Sequence, residues 1–140
     1  MYLTYDDYQN MGGTLDETTF ESLEFEASAY IDYVTFNRLE NETVIPEKVQ
    51  RCVYYIIGLL EQKLNAMQSV PVNGGNSQGG GLGITSQSND GVSVSYNVMS
   101  AKDVLTSCQD EIENAVKTYL QGVTNTLGRK LLYRGLYPGE

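Results

Sequence analysis

The chain has 140 residues, with 18 acids against nine bases, a formal net charge of −9 and no histidine or tryptophan. A chain of this length is one domain that can bury a core without a disulfide or metal staple. Its two cysteines make no disulfide framework, no secretory signal is recognisable, and the longest apolar run, residues 52–60, is too short to span a bilayer. We therefore expect a protein of the reducing cytoplasm with no membrane partner. The missing histidine disfavours general-base catalysis, and the acidic balance disfavours gripping duplex DNA.

The charge is distributed unevenly. Residues 1–47 contain eleven acids and a single base, Arg38, whereas the last twelve residues contain three bases and one acid. Two solvated faces of a monomer would explain this pattern, and so would a subunit with differently charged docking ends. The charge pattern by itself favours the monomer.

The first half of the chain predicts two helices. Thr4 and Asp7 have capping-box spacing for a short helix over residues 5–11, which two glycines end. Thr14 and Glu17 repeat that spacing before an amphipathic helix over residues 15–37.

The second half predicts two more helices. Pro46 suits the first turn of a third helix, which extends to about residue 68, and Ser100 opens a fourth that extends to about residue 123. The predicted fold class is mainly α, a small antiparallel bundle of three long helices with a short N-terminal helix. The residues expected to be buried between the third and fourth helices are Val53, Ile56, Leu60, Ile112, Val116 and Leu120.

A Gly/Ser-rich insertion, residues 69–99, separates the third and fourth helices. Residues 92–98 alternate apolar and polar side chains, which predicts a strand, and Asn89-Asp90-Gly91 is a hairpin turn signal. Residues 82–87 would supply the partner strand. An isolated hairpin is marginal in water, so its apolar face needs cover from this bundle or from another chain. The candidate partner-binding residues of that face are Val92, Val94, Tyr96 and Val98.

The tail, residues 124–140, is predicted to be an extended C-terminal arm, because Gly128, Gly135, Pro138 and Gly139 prevent a continuous helix. It contains five large apolar side chains and three bases. The arm either covers its own bundle or docks on a neighbour, and we expect the neighbour. The candidate partner-binding residues are Arg129, Lys130, Leu131, Leu132, Tyr133, Arg134, Leu136 and Tyr137.

The sequence predicts no catalytic, cofactor-binding or metal site, and thus no enzyme. Residues 79–83 contain Gly-x-Gly without the lysine of a phosphate loop, which favours a linker. Cys52 and Cys108 lie on apolar helix faces, which is typical of small buried hydrophobes. The acids of the second helix are a solvated face or a channel or inter-subunit face. The members considered for that acidic face are Glu17, Glu21, Glu24 and Asp32.

Six short motifs follow one another along the chain, and together they cover nearly its whole length. They are Thr4-Tyr5-Asp6-Asp7-Tyr8, Gly12-Gly13, Phe36-Asn37-Arg38-Leu39, Ile45-Pro46, Gly91-Val92-Ser93-Val94-Ser95-Tyr96 and Leu131-Leu132-Tyr133-Arg134-Gly135-Leu136. In this order and spacing they resemble the head–tail connector (head-completion adaptor) proteins of long-tailed phages and prophages of Gram-positive bacteria.

The resemblance implies a structural virion protein that is assembled in the bacterial cytoplasm and located in the virion neck. Such proteins form a ring, typically of about twelve copies, beneath the portal protein. The ring extends the DNA channel, passes genomic DNA without specific binding and docks the next neck or tail-completion protein. Two alternatives from other classes stay open. One is an acidic DNA mimic or regulatory protein that sequesters a nucleic-acid enzyme, and the other is a small enzyme with a carboxylate pair.

Overall fold

Four α-helices dominate the computed structural model, which describes residues 1–68, 86–89, 92–95 and 101–139. In chain order, α1 is Tyr5–Asn10, α2 is Glu17–Thr35, α3 is Glu47–Gln68 and α4 is Ala101–Leu120. The prediction of a mainly helical chain is confirmed. No helix among the described residues is long and apolar enough to cross a membrane.

The N-termini of the first two helices are capped by different kinds of side chain. Thr4 caps α1 as predicted, because its hydroxyl accepts from the backbone N–H of Asp7 at 3.2 Å. The cap predicted for α2 is wrong: Asp16, and not Thr14, accepts from the backbone N–H of Thr19 at 3.0 Å. A carboxylate at a helix N-terminus is the stronger cap because it also meets the positive end of the helix dipole. The hydrogen bonds from Thr19 accordingly lower the pKa of Asp16.

Helix α3 lies in the middle of the described structure, packed against α2 and against α4. The α3–α4 pair is antiparallel. Cys108, early in α4, contacts the Leu59 carbonyl at 3.5 Å, whereas Tyr119, near the end of α4, stacks on Tyr55, earlier in α3. This central position explains why α3 contains the longest apolar run of the chain, residues 52–60.

The hydrophobic core joins all four helices and both ends of the described chain. The six residues predicted to be buried are buried, so this prediction is confirmed. Leu3, before α1, and Leu131, after α4, belong to the same cluster and are fully buried. The core therefore depends on segments outside the helices as well as on the helix stripes.

Two short strands pair in the insertion. β1 is Ser86–Asn89 and β2 is Val92–Ser95, and they are antiparallel with Asn89 opposite Val92 and Ser86 opposite Ser95. The β1 strand overlaps the predicted partner strand 82–87 at residues 86 and 87, and it includes Asn89, which was predicted to belong to the turn. Residues 82–85 and 96–98 of the predicted hairpin, with Tyr96 and Val98, lie outside the described residues.

The prediction of an extended C-terminal arm is wrong for the segment after α4. Residues 123–139, which we call the C-terminal hook, turn back onto the chain's own body. The Leu131 N–H donates to the Val123 carbonyl at 2.9 Å, and Thr124 and Lys130 form an isolated antiparallel bridge. Gly128 has a φ of 73°, a left-handed conformation that glycine adopts without strain. The tail thus forms no continuous helix, as predicted, but it makes tight turns where an extended chain was expected.

Candidate interaction surfaces

A single arginine holds the C-terminal hook in place. Arg38 follows two residues in the left-handed region, Phe36 and Asn37, and this reversal brings its side chain inward, where it is only 8% exposed. Its guanidinium donates to the backbone carbonyls of the hook, at 3.2 Å for two of them and at 2.8 Å for the last. The carbonyls belong to Lys130, Leu131, Tyr133 and Gly135. The planar guanidinium of an arginine has five N–H donors, so it can donate to several carbonyls at once better than a lysine ammonium can.

Two further contacts fasten the hook to the connector between α2 and α3. The Asn125 side chain donates to the Arg38 carbonyl at 3.4 Å, and its own oxygen accepts from the N–H groups of Leu127 and Arg129. The Glu42 carboxylate accepts from the Thr126 hydroxyl at 2.9 Å. The turn at residues 125–129 is therefore fixed both internally and against the connector.

The hook residues predicted to bind partners divide into inward and outward groups. Leu131 is fully buried in the core, and Leu132 is half-buried. Arg129 and Tyr137 stack on each other, with the guanidinium 5.8 Å from the ring centre. The residues left exposed for a partner are Lys130, Tyr133, Arg134 and Leu136. Of these, Leu136 is the most exposed large apolar side chain among the described residues, at 84%.

The predicted acidic face of α2 is divided in the same way. Glu17 and Glu21 are exposed, but Glu24 is 2% exposed and points into the core. Its carboxylate accepts from the Tyr2 N–H at 2.7 Å and from the Ser28 hydroxyl at 2.5 Å. Glu24 therefore binds the N-terminal segment, and its assignment to a channel-facing surface is wrong.

Asp32 also serves the N-terminal segment. Asp32 lies about two helical turns beyond Glu24, and its carboxylate accepts a hydrogen bond from the Tyr2 hydroxyl. Burial, followed by this hydrogen bond, raises the pKa of Tyr2 above its ordinary value. Only Glu17 and Glu21 of the four predicted acids thus remain as solvent-facing charges without a described internal role.

A row of exposed apolar side chains follows the outer side of α2. Phe25 and Tyr33 are 76% and 79% exposed, Ala29 between them is exposed, and Phe36 continues the row beyond the helix. Spacings of four residues place Phe25, Ala29 and Tyr33 on one side of the helix, and Phe36 is its C-cap. We call these four residues the α2 stripe. Large exposed aromatic side chains in a row are typical of a surface that another protein covers.

A groove of about 260 Å³ opens over the middle of α3, beside the turn between α1 and α2. Its walls combine tyrosine rings, the α1–α2 turn and two acids. They include Tyr8, Tyr54, Tyr55, Gly58, Glu61 and Glu111. The turn fits tightly because a Cβ on Gly13 would lie 2.1 Å from the Tyr8 ring. We call this feature the tyrosine groove.

Neither cysteine is placed for chemistry. Cys52 is buried, which raises the pKa of its thiol to about 12, and the partial burial of Cys108 also raises the pKa of that thiol. Among the described residues, no group of three or more histidine, cysteine, aspartate or glutamate side chains could hold a metal ion.

Sequence reasoning missed the two polar residues that organise the ends of the chain, although each left a signal. Arg38 is the one base among the first 47 residues, and a lone base in an acidic segment indicates a specific internal role. Glu24 lies on the same helical face as Phe20, Ala27 and Ile31, so periodicity already placed it among buried residues.

Comparisons of the chain with protein-family models, with curated proteins and with solved structures found no match.

Proposed function

We propose that this chain is a structural adaptor of a phage or prophage neck, a subunit of a ring that binds beneath the portal and docks the next neck or tail-completion protein. The observation that carries the proposal is the placement of its exposed apolar side chains. Among the described residues, six of the twelve exposed large apolar side chains lie on the α2 stripe and on the C-terminal hook, which differ in the sign of the neighbouring charge. A subunit that contacts several different neighbours requires such separate surfaces.

The α2 stripe supports a protein contact more strongly than a DNA-facing one. Exposed rings of Phe25 and Tyr33 interrupt the acidic residues of the helix outer side. Exposed apolar rings are unfavourable where they face the water of a DNA channel. They also interrupt the negative charge along the helix, so the helix does not resemble a phosphate backbone. We therefore assign the stripe to the portal, and we place the remaining acids, Glu17 and Glu21, where they keep passing DNA from sticking.

The insertion supplies a second contact in this proposal. The β1–β2 pair has four residues in each strand, which is too small for independent stability. We place the segment 82–98 on an adjacent subunit or on the portal. Deletion of residues 74–98 should then leave a folded helical protein, measured by circular dichroism, that no longer joins the neck.

The decisive experiment is co-purification with the portal protein of the same phage, followed by negative-stain microscopy. The wild-type chain should form a ring on the portal. Tyr33→Asp should lose portal binding while its melting temperature stays close to that of the wild type, because Tyr33 is exposed. Val44→Asp is the matched control, since Val44 is 73% exposed and lies outside the stripe. A wild-type chain that never binds the portal would overturn the proposal.

A further inference from the structure

The tyrosine groove and the exposed side chains of the hook carry opposite charges. The groove is lined by Gly58 and by two carboxylates, Glu61 and Glu111. The hook presents Leu136, which is 84% exposed, and the exposed bases Lys130 and Arg134. An apolar anchor with basic neighbours therefore matches an apolar depression with acidic neighbours.

Gly58 is a second sign that the groove receives something from outside. A glycine in the interior of a helix costs about 1 kcal/mol relative to alanine. Packing within the chain does not require it, because a Cβ at this position would meet nothing within 4 Å. The absence of a side chain at Gly58 leaves a space above α3 that no atom of the same chain fills.

The hook of a given copy does not reach its own groove. Arg38 holds the hook just beyond the C-terminus of α2, whereas the groove is lined by Gly12, Gly13 and Thr14, which precede its N-terminus. No residue of the hook lines the groove, and Leu136 of the same copy is 84% exposed. A contact between hook and groove must therefore join two copies.

We propose that Leu136 of one copy inserts into the tyrosine groove of the next copy, with Lys130 and Arg134 facing Glu61 and Glu111. The contact uses two different surfaces, so it is head-to-tail, and repetition of a head-to-tail contact closes a ring when the rotation between copies allows it. This inference rests on the ring of the proposed function and names the surface that forms it. In this arrangement, the hydrogen bonds from Arg38 to the hook hold Leu136 in a fixed position before the copies meet, which lowers the entropic cost of binding.

Self-association of the full-length chain, measured by sedimentation velocity over a concentration series, tests the contact. Leu136→Asp removes the anchor and Gly58→Leu fills the groove, and each should weaken association at least about tenfold. Val44→Asp again serves as the control and should associate like the wild type. Leu136 and Val44 are exposed, and a Cβ at Gly58 would meet nothing within 4 Å, so none of the three variants should melt below the wild type. Gly58→Leu should melt slightly higher, because glycine is the weaker helix former.

A charge exchange separates this contact from a general loss of solubility or fold. Arg134→Glu and Glu61→Arg should each weaken association, and the double variant should recover most of it, because the pair is restored with reversed sign. Association that is unchanged in Leu136→Asp or Gly58→Leu, or no recovery in the double variant, would overturn the contact. Such variants would still bind the portal if the proposed function holds. A wild-type chain that stays monomeric would also overturn the contact, and portal co-purification would then decide separately whether the adaptor function fails with it.

Discussion

The side-chain amide of Asn125 donates to the backbone carbonyl of Arg38 at 3.4 Å, across 87 residues of sequence. In the opposite direction, the Arg38 guanidinium donates to the carbonyls of the hook that Asn125 begins. Asn125 thus donates to a backbone carbonyl of the connector between α2 and α3, and Arg38 donates to backbone carbonyls of the hook. Because buried carbonyls without donors are costly, this exchange lets a turn-rich tail pack against the body without a helix or a sheet.

Arg38→Ala should release the hook. The substitution removes the donors for several carbonyls, which costs about 1–3 kcal/mol when the acceptors stay buried. Hydrogen exchange should accelerate in residues 125–137 and change little in α3. Arg51→Ala is the control, because Arg51 forms only an exposed ion pair with Glu47, worth at most about 0.5 kcal/mol. Unchanged exchange in the hook would show that the apolar contact of Leu131 is sufficient.

Glu24→Ala should loosen the N-terminal segment. It leaves the N–H groups of Tyr2 and Leu3 without their acceptor, so the free energy of unfolding should fall by about 1–3 kcal/mol in urea denaturation. Glu24→Gln keeps a carbonyl oxygen and should cost less. Glu21→Ala, at an exposed position of the same helix, should stay within about 0.5 kcal/mol of the wild type. Equal effects at the two positions would contradict the internal role of Glu24.

Leu60→Ala should destabilise the protein by about 2–5 kcal/mol, because it empties a buried site between α3 and α4. Chemical denaturation at constant m-value measures the change. Met67→Ala, near the exposed end of the same helix, is the control and should cost much less. A loss below about 0.5 kcal/mol for Leu60→Ala would show that this face of α3 is not packed as described.

Native alkylation should distinguish the two cysteines. The Cys52 thiol, with its pKa raised to about 12, has almost no thiolate at pH 8, and burial also blocks access. Cys108 is half-buried and should react with iodoacetamide first, as read by mass spectrometry. In the unfolded chain Cys52 ionises near its ordinary pKa of 9.0, so raising the pH above that value favours unfolding and lowers stability. Equal rates for the two thiols below pH 9 would contradict the described burial.

Duplex DNA should not bind the purified chain at moderate salt. The net charge is −9, and the exposed bases of the hook are too few to form a basic stripe. Fluorescence anisotropy with a labelled duplex measures this at several salt concentrations. Measurable affinity with a steep salt dependence would mean that the hook bases contact phosphates, contrary to their assignment to a protein partner.

The sequence by itself determined the helices and most of the core. Capping at Thr4, the stripe of α3 and the glycines after α1 act over one or two helical turns, and such local patterns depend little on the rest of the fold. The burial of Val53, Ile56 and Leu120 followed from periodicity alone. Glu24 could have been placed by the same periodicity, but its charge suggested a solvated face.

The tertiary structure alone decided what the two ends of the chain do. Whether the apolar tail binds its own body or a neighbour depends on donors that lie far away in sequence, and Arg38 supplies them only because the chain reverses at Phe36 and Asn37. The tyrosine groove likewise arises where α1, α3 and α4 meet. Contacts of this kind join residues that no local pattern relates. Composition and spacing therefore identified the apolar and basic residues of the tail, but not the surface on which they pack.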